Sequence, residues 1–285
     1  MKKINKLLIT MIIFTFLSPN FSNLANAHDR WLISSKPFAK INDLVPVEFC
    51  VGHGFESEAA PSEWWLTDFY LLDPDGIVSK LEFNFDRDKQ KSALSKFKAN
   101  KEGIYIIYSV AENIYWVRTH DNKYIQFKDK IEIDKSQIKR TFIGWQYSKT
   151  FIRVGKTKRG DYDKSVGGLI EIIPLKDPTN LKVGEYLPIK VLSNGKNTNW
   201  NVGVVALYKG FKGEKWAYSY FSEYPGVIYI KEGIGKDPYF KIPIDKKGFW
   251  FIKAFRMMDR EVLSEKKYGE HDEYFFEATI TFYVK

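Results

Sequence analysis

The chain has 285 residues, 44% hydrophobic and 16% aromatic, which is enough apolar surface for a sizeable core. Its formal net charge of +9 is dispersed. The stretches KDKIEIDK (128–135) and KTKRGDYDK (156–164) alternate in sign and no basic stripe is interleaved with aromatics, which argues against nucleic-acid binding, while the single cysteine, Cys50, rules out a disulfide framework.

The N-terminus reads as an export signal. Lys2, Lys3 and Lys6 form a positive region, the apolar run LLITMIIFTFL follows from Leu7 to Leu17, and Ala25-Asn26-Ala27 offers small residues for cleavage. The expectation is a signal peptide over 1–27 and a mature protein that starts at His28. The run is shorter than the roughly 18–20 residues of a membrane span, so no stable membrane insertion is expected after cleavage. No cysteine follows it to carry a lipid anchor. The expected location is periplasmic or secreted.

The remainder reads as strands and turns. VPVEFCV (45–51), WLTDFYLL (65–72), IYIIYSVA (104–111), TFIRV (150–154), LIEII (169–173), YLPIKVL (186–192), VGVVALY (202–208), FWFIKAF (249–255) and ATITFYV (278–284) are short and rich in β-branched or aromatic residues. Asp73-Pro74-Asp75-Gly76, Lys101-Glu102-Gly103, Asn194-Gly195 and Lys246-Lys247-Gly248 punctuate them as turns. An all-β sandwich follows. The Lys- and Asp-rich segment 122–148 has the weakest pattern and reads as an excursion or a crossing between two parts. Cys50 lies inside an apolar strand and reads as a small buried hydrophobe. A glycine precedes a late aromatic strand in each half, Gly103 before IYIIYSV and Gly248 before FWFIKAF. With charge and glycine clustered near 156–166, this divides the mature chain into domains at 28–160 and 161–285.

The stretch GGLIEIIPLKDPTNLKVGEYLPIKVLSNGK (167–196), with AHDRWL at the mature start, VGHGF (51–55), YWVRT (115–119) and ATITF (278–282), resembles an exported family described as the periplasmic component of cobalt/nickel uptake systems. The resemblance spans nearly the whole mature chain. It implies an immunoglobulin-like β-sandwich, which with the two-part division above makes two in tandem, a periplasmic address and a role with transition-metal ions. A soluble chain of this kind would capture the ion and pass it to a separate membrane metal transporter.

Four histidines bear on the metal reading. Once freed by cleavage, His28 would offer its α-amine and imidazole as one chelate, and neutral imidazole suits nickel, cobalt, copper and zinc alike. The square-planar terminal motif that requires histidine in third place is absent, because Arg30 stands there. His53, between Gly52 and Gly54 at a strand end, suits either a second ligand or a turn residue, and the Gly52-His53 pair is one the family also carries. Glu56 and Glu58 lie just beyond as loop acids. His271, flanked by Glu270, Asp272 and Glu273, is the third candidate ligand and equally a charged-loop residue; His120, after YWVRT, is weaker.

No G-x-S-x-G, H-E-x-x-H, P-loop or G-x-G-x-x-G motif occurs, so an enzyme is not expected. Two alternatives to metal capture stay open. One is a metal-independent module binding carbohydrate or protein through Tyr-rich loops such as WAYSYFSEYPGVIY (216–229). The other is a copper-dependent oxidoreductase with a histidine brace, which the terminal histidine and the eight tryptophans keep in view.

Overall fold

A computed structural model describes residues 29–53, 55–59, 68–84, 91–127, 130–157, 159–197, 202–211, 218–219, 231–232, 239–259 and 271–285. His28 and the expected signal lie outside them. Among the described residues the regular structure is strand, apart from 3₁₀ turns at Lys135–Gln137 and Pro178–Asn180. None of them forms a helix long and apolar enough to cross a membrane.

In chain order the strands are β1 (Asp29–Ile33), β2 (Phe38–Ala39), β3 (Leu44–His53), β4 (Glu56–Ala59), β5 (Asp68–Leu72), β6 (Val78–Lys80), β7 (Ser92–Lys98), β8 (Gly103–Thr119), β9 (Tyr124–Phe127) and β10 (Ile138–Val154). They continue with β11 (Ile170–Pro174), β12 (Tyr186–Ser193), β13 (Lys196–Asn197), β14 (Gly203–Tyr208), β15 (Tyr218–Ser219), β16 (Lys231–Glu232), β17 (Tyr239–Pro243), β18 (Gly248–Asp259) and β19 (Glu273–Val284).

Three sheets form. The largest has ten strands, in the order β15-β14-β18-β19-β10-β8-β5-β6 with β2 and β9 added at the side. Successive residues of its strands turn to opposite faces, apart from register shifts in the β8–β10 ladder, so each strand serves both covered faces. On one face Ile104, Ile106, Ile252, Ile280 and Phe282 pack against Ile172, Leu187, Ile189 and Ile242 of the five-stranded sheet β11-β12-β17-β16. On the other, Tyr105, Ile107 and Ile152 pack against Val45, Val47, Phe49 and Phe97 of the four-stranded sheet built on β3. The architecture is a layered β-sandwich whose middle sheet serves two cores.

The segment 122–148 is not an excursion. It contains β9 and the first half of β10, a 17-residue strand pairing antiparallel with β8 from Val154↔Gly103 to Ile138↔Thr119. Its opening residues, Ile138 to Thr141, are exposed or half-buried, and their Lys and Arg hide the strand pattern; from Phe142 onward it is buried throughout. β10 also pairs parallel with β19, from Phe142↔Glu273 to Thr150↔Thr281. The middle sheet therefore takes strands from both sides of residue 160. The segment after β10 is stitched down rather than loose: the amide of Ile104 donates to the carbonyl of Arg159 at 2.7 Å. A Cβ on Gly103, at φ +140°, would come within 2.6 Å of that same oxygen.

Candidate functional site

The strand that begins at Asp29 is built into the sandwich. β1 pairs antiparallel with β3 from Asp29↔Gly52 to Ile33↔Glu48, and Asp29, Arg30, Trp31 and Leu32 are all buried. A short strand buried on both faces must satisfy the carbonyls of its second edge. Hydroxyls of the middle sheet do so: Ser148 Oγ and Thr279 Oγ1 both donate to the Arg30 carbonyl, at 3.0 and 2.7 Å, and Thr281 Oγ1 donates to the Leu32 carbonyl. Trp31 is held edge-on by Phe251 and Phe55, with ring centroids 6.1 and 6.4 Å away.

At the N-terminal end of β1 the middle sheet presents charge. Lys253 Nζ, from β18, donates to Asp29 Oδ1 at 2.6 Å, and Glu277 Oε2, from β19, lies 3.9 Å from the same ammonium. Gln146 Nε2 donates to Glu277 Oε1 at 3.0 Å. Burial raises the Glu277 carboxyl to about 7, with Lys253 pulling it down and Asp29 pushing it up. Burial lowers the Arg30 guanidinium to about 10, opposed by the charge of Glu277. Asp29 Oδ2 is buried and accepts no hydrogen bond among the described residues.

Of the predicted ligands, His53 and His271 lie among the described residues. His53 ends β3, one residue beyond the Asp29↔Gly52 pair, and faces Glu56 across the turn to β4. His271 precedes β19, roughly 20 Å from Glu277 at the rise of a strand. Its ring lies 5.5 Å from Tyr115 and 6.4 Å from Tyr274. Burial lowers its pKa, with Asp272 opposing, and its Nδ1 has no hydrogen-bond partner among the described residues. The acids beside it are engaged, Asp272 by the amide and hydroxyl of Thr141 and Glu273 by Arg140. His120 is exposed in the turn after β8. Among the described residues no group of three His, Cys, Asp or Glu side chains is placed to hold a metal ion. Cys50 is buried and free, and burial pushes its thiol up to about 12, so it is no nucleophile.

Sequence reasoning missed the Asp29–Lys253–Glu277 cluster. The available signal was a lysine inside FWFIKAF, where strand alternation between aromatics buries it and demands a counter-charge.

The layered sandwich is a class shared by many proteins, and structural neighbours fix nothing narrower. A DUF4785 family protein of Legionella pneumophila matches with 8% identity over 78% of this chain and 50% of its own, at a TM-score of 0.25. The Escherichia coli adhesin FdeC matches with 10% identity over 91% and 64%, at a TM-score of 0.23. A marsupial T cell receptor matches with 8% identity over 79% and 58%, at 0.21. The chain thus spans about half to two thirds of these longer chains, and scores so low carry no argument. No functionally curated protein matches. The family is clear: residues 25–257 match the domain of unknown function DUF4198, and the chain belongs to it.

Proposed function

We propose that the protein captures a transition-metal ion, nickel or cobalt by the family resemblance, at its mature N-terminus, and delivers it for uptake. The observation that supports this reading is the pairing of Asp29 with Gly52. His28 immediately precedes Asp29 in sequence and His53 immediately follows Gly52, so both candidate ligands are chain neighbours of this pair. Two imidazoles can share one ion at the roughly 2.0–2.1 Å metal–nitrogen distance of zinc sites, with the freed α-amine of His28 as a third donor. Of the expected ligands, His53 and His271 lie among the described residues and His28 lies outside them.

The experiment compares exported, signal-cleaved protein with protein carrying one extra Met before His28. The extension keeps both imidazoles and turns the amine into an amide. Equilibrium dialysis against nickel, cobalt, copper and zinc should show binding that strengthens from pH 6 to 8, as an amine with pKa near ~7.7 and an imidazole near ~6.5 lose protons. The extended form should bind much more weakly, and His53→Ala should cost at least about tenfold, more than ~1 kcal/mol. Equal affinity and pH dependence in the extended and processed forms would remove the terminal site.

A further inference from the structure

Four ionisable side chains meet where β1 crosses β18 and β19. Asp29 is 1% exposed, Arg30 4%, Glu277 1%, and the Lys253 side chain 12%. The surroundings are apolar: Trp31 and Phe251 pack edge to face beside them, and the Lys253 ammonium lies 5.2 Å from the Phe255 ring centre. Two acids and two bases balance, yet each ion has surrendered its hydration, and desolvation of paired charges often exceeds what their attraction returns. The Asp29–Lys253 pair also joins positions 224 residues apart.

We propose that Lys253 and Asp29 condense into an intramolecular isopeptide bond that ties β1 covalently to β18, with Glu277 carrying the proton. The ammonium gives a proton to the Glu277 carboxylate, and the neutral Nζ attacks Asp29 Cγ. A C–N bond forms. Glu277 passes its proton to the oxygen that leaves, a second proton from nitrogen follows, and that oxygen departs as water when its bond to Cγ breaks. The amide nitrogen keeps one hydrogen. The balance is one ammonium and one carboxylate consumed, one amide and one water produced, with Glu277 restored and no oxidant or co-reactant required.

Geometry and charge favour the step. The nucleophile stands 2.6 Å from one carboxylate oxygen, the second oxygen is unengaged among the described residues, and the proton carrier is 3.9 Å from the nucleophile. Burial that holds Glu277 near neutrality lets it take and return a proton at physiological pH. Fixed proximity supplies a high effective concentration, and exclusion of water opposes the reverse hydrolysis. The reaction removes one positive and one negative charge from the interior and leaves Arg30 and Glu277 to balance each other.

The test is mass spectrometry of the denatured full-length mature protein, in which no metal takes part, so its failure and that of metal capture are told apart. The expected intact mass is lower than that of the processed sequence by one water. Digestion should yield a branched peptide joining the segment with Asp29 to the segment with Lys253. Asp29→Ala and Lys253→Met should show the full mass of their sequences, and Glu277→Gln, which retains both reacting groups, should remain uncondensed. Full mass in the wild-type protein, with the two segments recovered separately, overturns the bond. Condensation of Glu277→Gln at the wild-type rate overturns the role of Glu277. The wild-type measurement stands even where a variant fails to fold.

Discussion

Glu171 illustrates how one buried carboxylate is made tolerable in this fold. Its side chain is 1% exposed, and five donors surround it: Lys149 Nζ at 2.6 Å, Ser165 Oγ at 2.6 Å, and the amides of Val166, Gly167 and Gly168 at 2.9, 2.8 and 2.9 Å. Burial alone would raise its pKa, but Lys149 and these hydrogen bonds together hold it below the ordinary carboxylate value of 4.5. For Lys149 burial prevails and lowers the pKa, with Glu171 opposing. A carboxyl depressed in the folded state contributes stability that is present above its unfolded pKa and lost as pH falls through the folded value. Glu171→Gln keeps one acceptor oxygen for the Gly167 and Gly168 amides but sets an NH2 against the Val166 amide and strands the Lys149 charge, a loss of about 3–5 kcal/mol at pH 7. Urea titrations should show that deficit at pH 7 and a progressively smaller one as acidification carries the wild-type carboxyl through its depressed folded pKa. A deficit that does not change with pH would mean the ion pair is not what the substitution removes.

At the scale of the element, β1 is a short strand whose outer edge is satisfied by side chains instead of a neighbouring strand. Thr279 and Thr281 supply two of those hydroxyls, both nearly fully buried. Replacing both with Val preserves shape and branching, removes the hydroxyl donor to the Leu32 carbonyl and takes one of two hydroxyl donors from the Arg30 carbonyl, Ser148 remaining. Each buried group left unsatisfied costs about 1–3 kcal/mol. The double variant should lose roughly 2–4 kcal/mol, with hydrogen exchange accelerating in β1 before the middle sheet. Uniform acceleration across β1 and β10 would show that β1 does not open by itself. The strand was hard to read in advance for the same reason that it is stable. DRWLI is buried along nearly its whole length against the middle sheet, so it shows no alternation, and its charged residues look like a loop. The long apolar strands, by contrast, were legible from β-branched and aromatic runs alone, as IYIIYSV and FWFIKAF show. His53 was placed at a strand end from its glycine neighbours. That Asp29 stands across from Gly52 was not readable, because register between distant strands is set by packing rather than by local sequence.

At the scale of the molecule, the middle sheet decides how the parts depend on one another. β10, from before residue 160, lies between β8 and β19, and β19 lies between β10 and β18. Sequence suggested a division near residue 160 because charge and glycine cluster there, and such punctuation reports a chain crossing without reporting which sheet the next strands join. A chain ending at residue 160 would leave β10 with an unpaired edge from Phe142 to Thr150. It would also lose the Thr279, Thr281 and Lys253 groups that hold β1. Exposed hydrogen-bonding edges of that length invite aggregation. Both cores share the strands of this one sheet, so opening either exposes apolar surface belonging to the other. The mature protein should therefore unfold in one cooperative transition, with tryptophan fluorescence and far-ultraviolet circular dichroism tracing the same curve in urea. Fragment 28–160 expressed alone should be insoluble or lack a cooperative transition. Two resolved transitions in the whole protein, or a fragment 28–160 that unfolds with the midpoint of one of them, would show that the strands after residue 160 are dispensable to the first core and that the sheet joins two independently stable units.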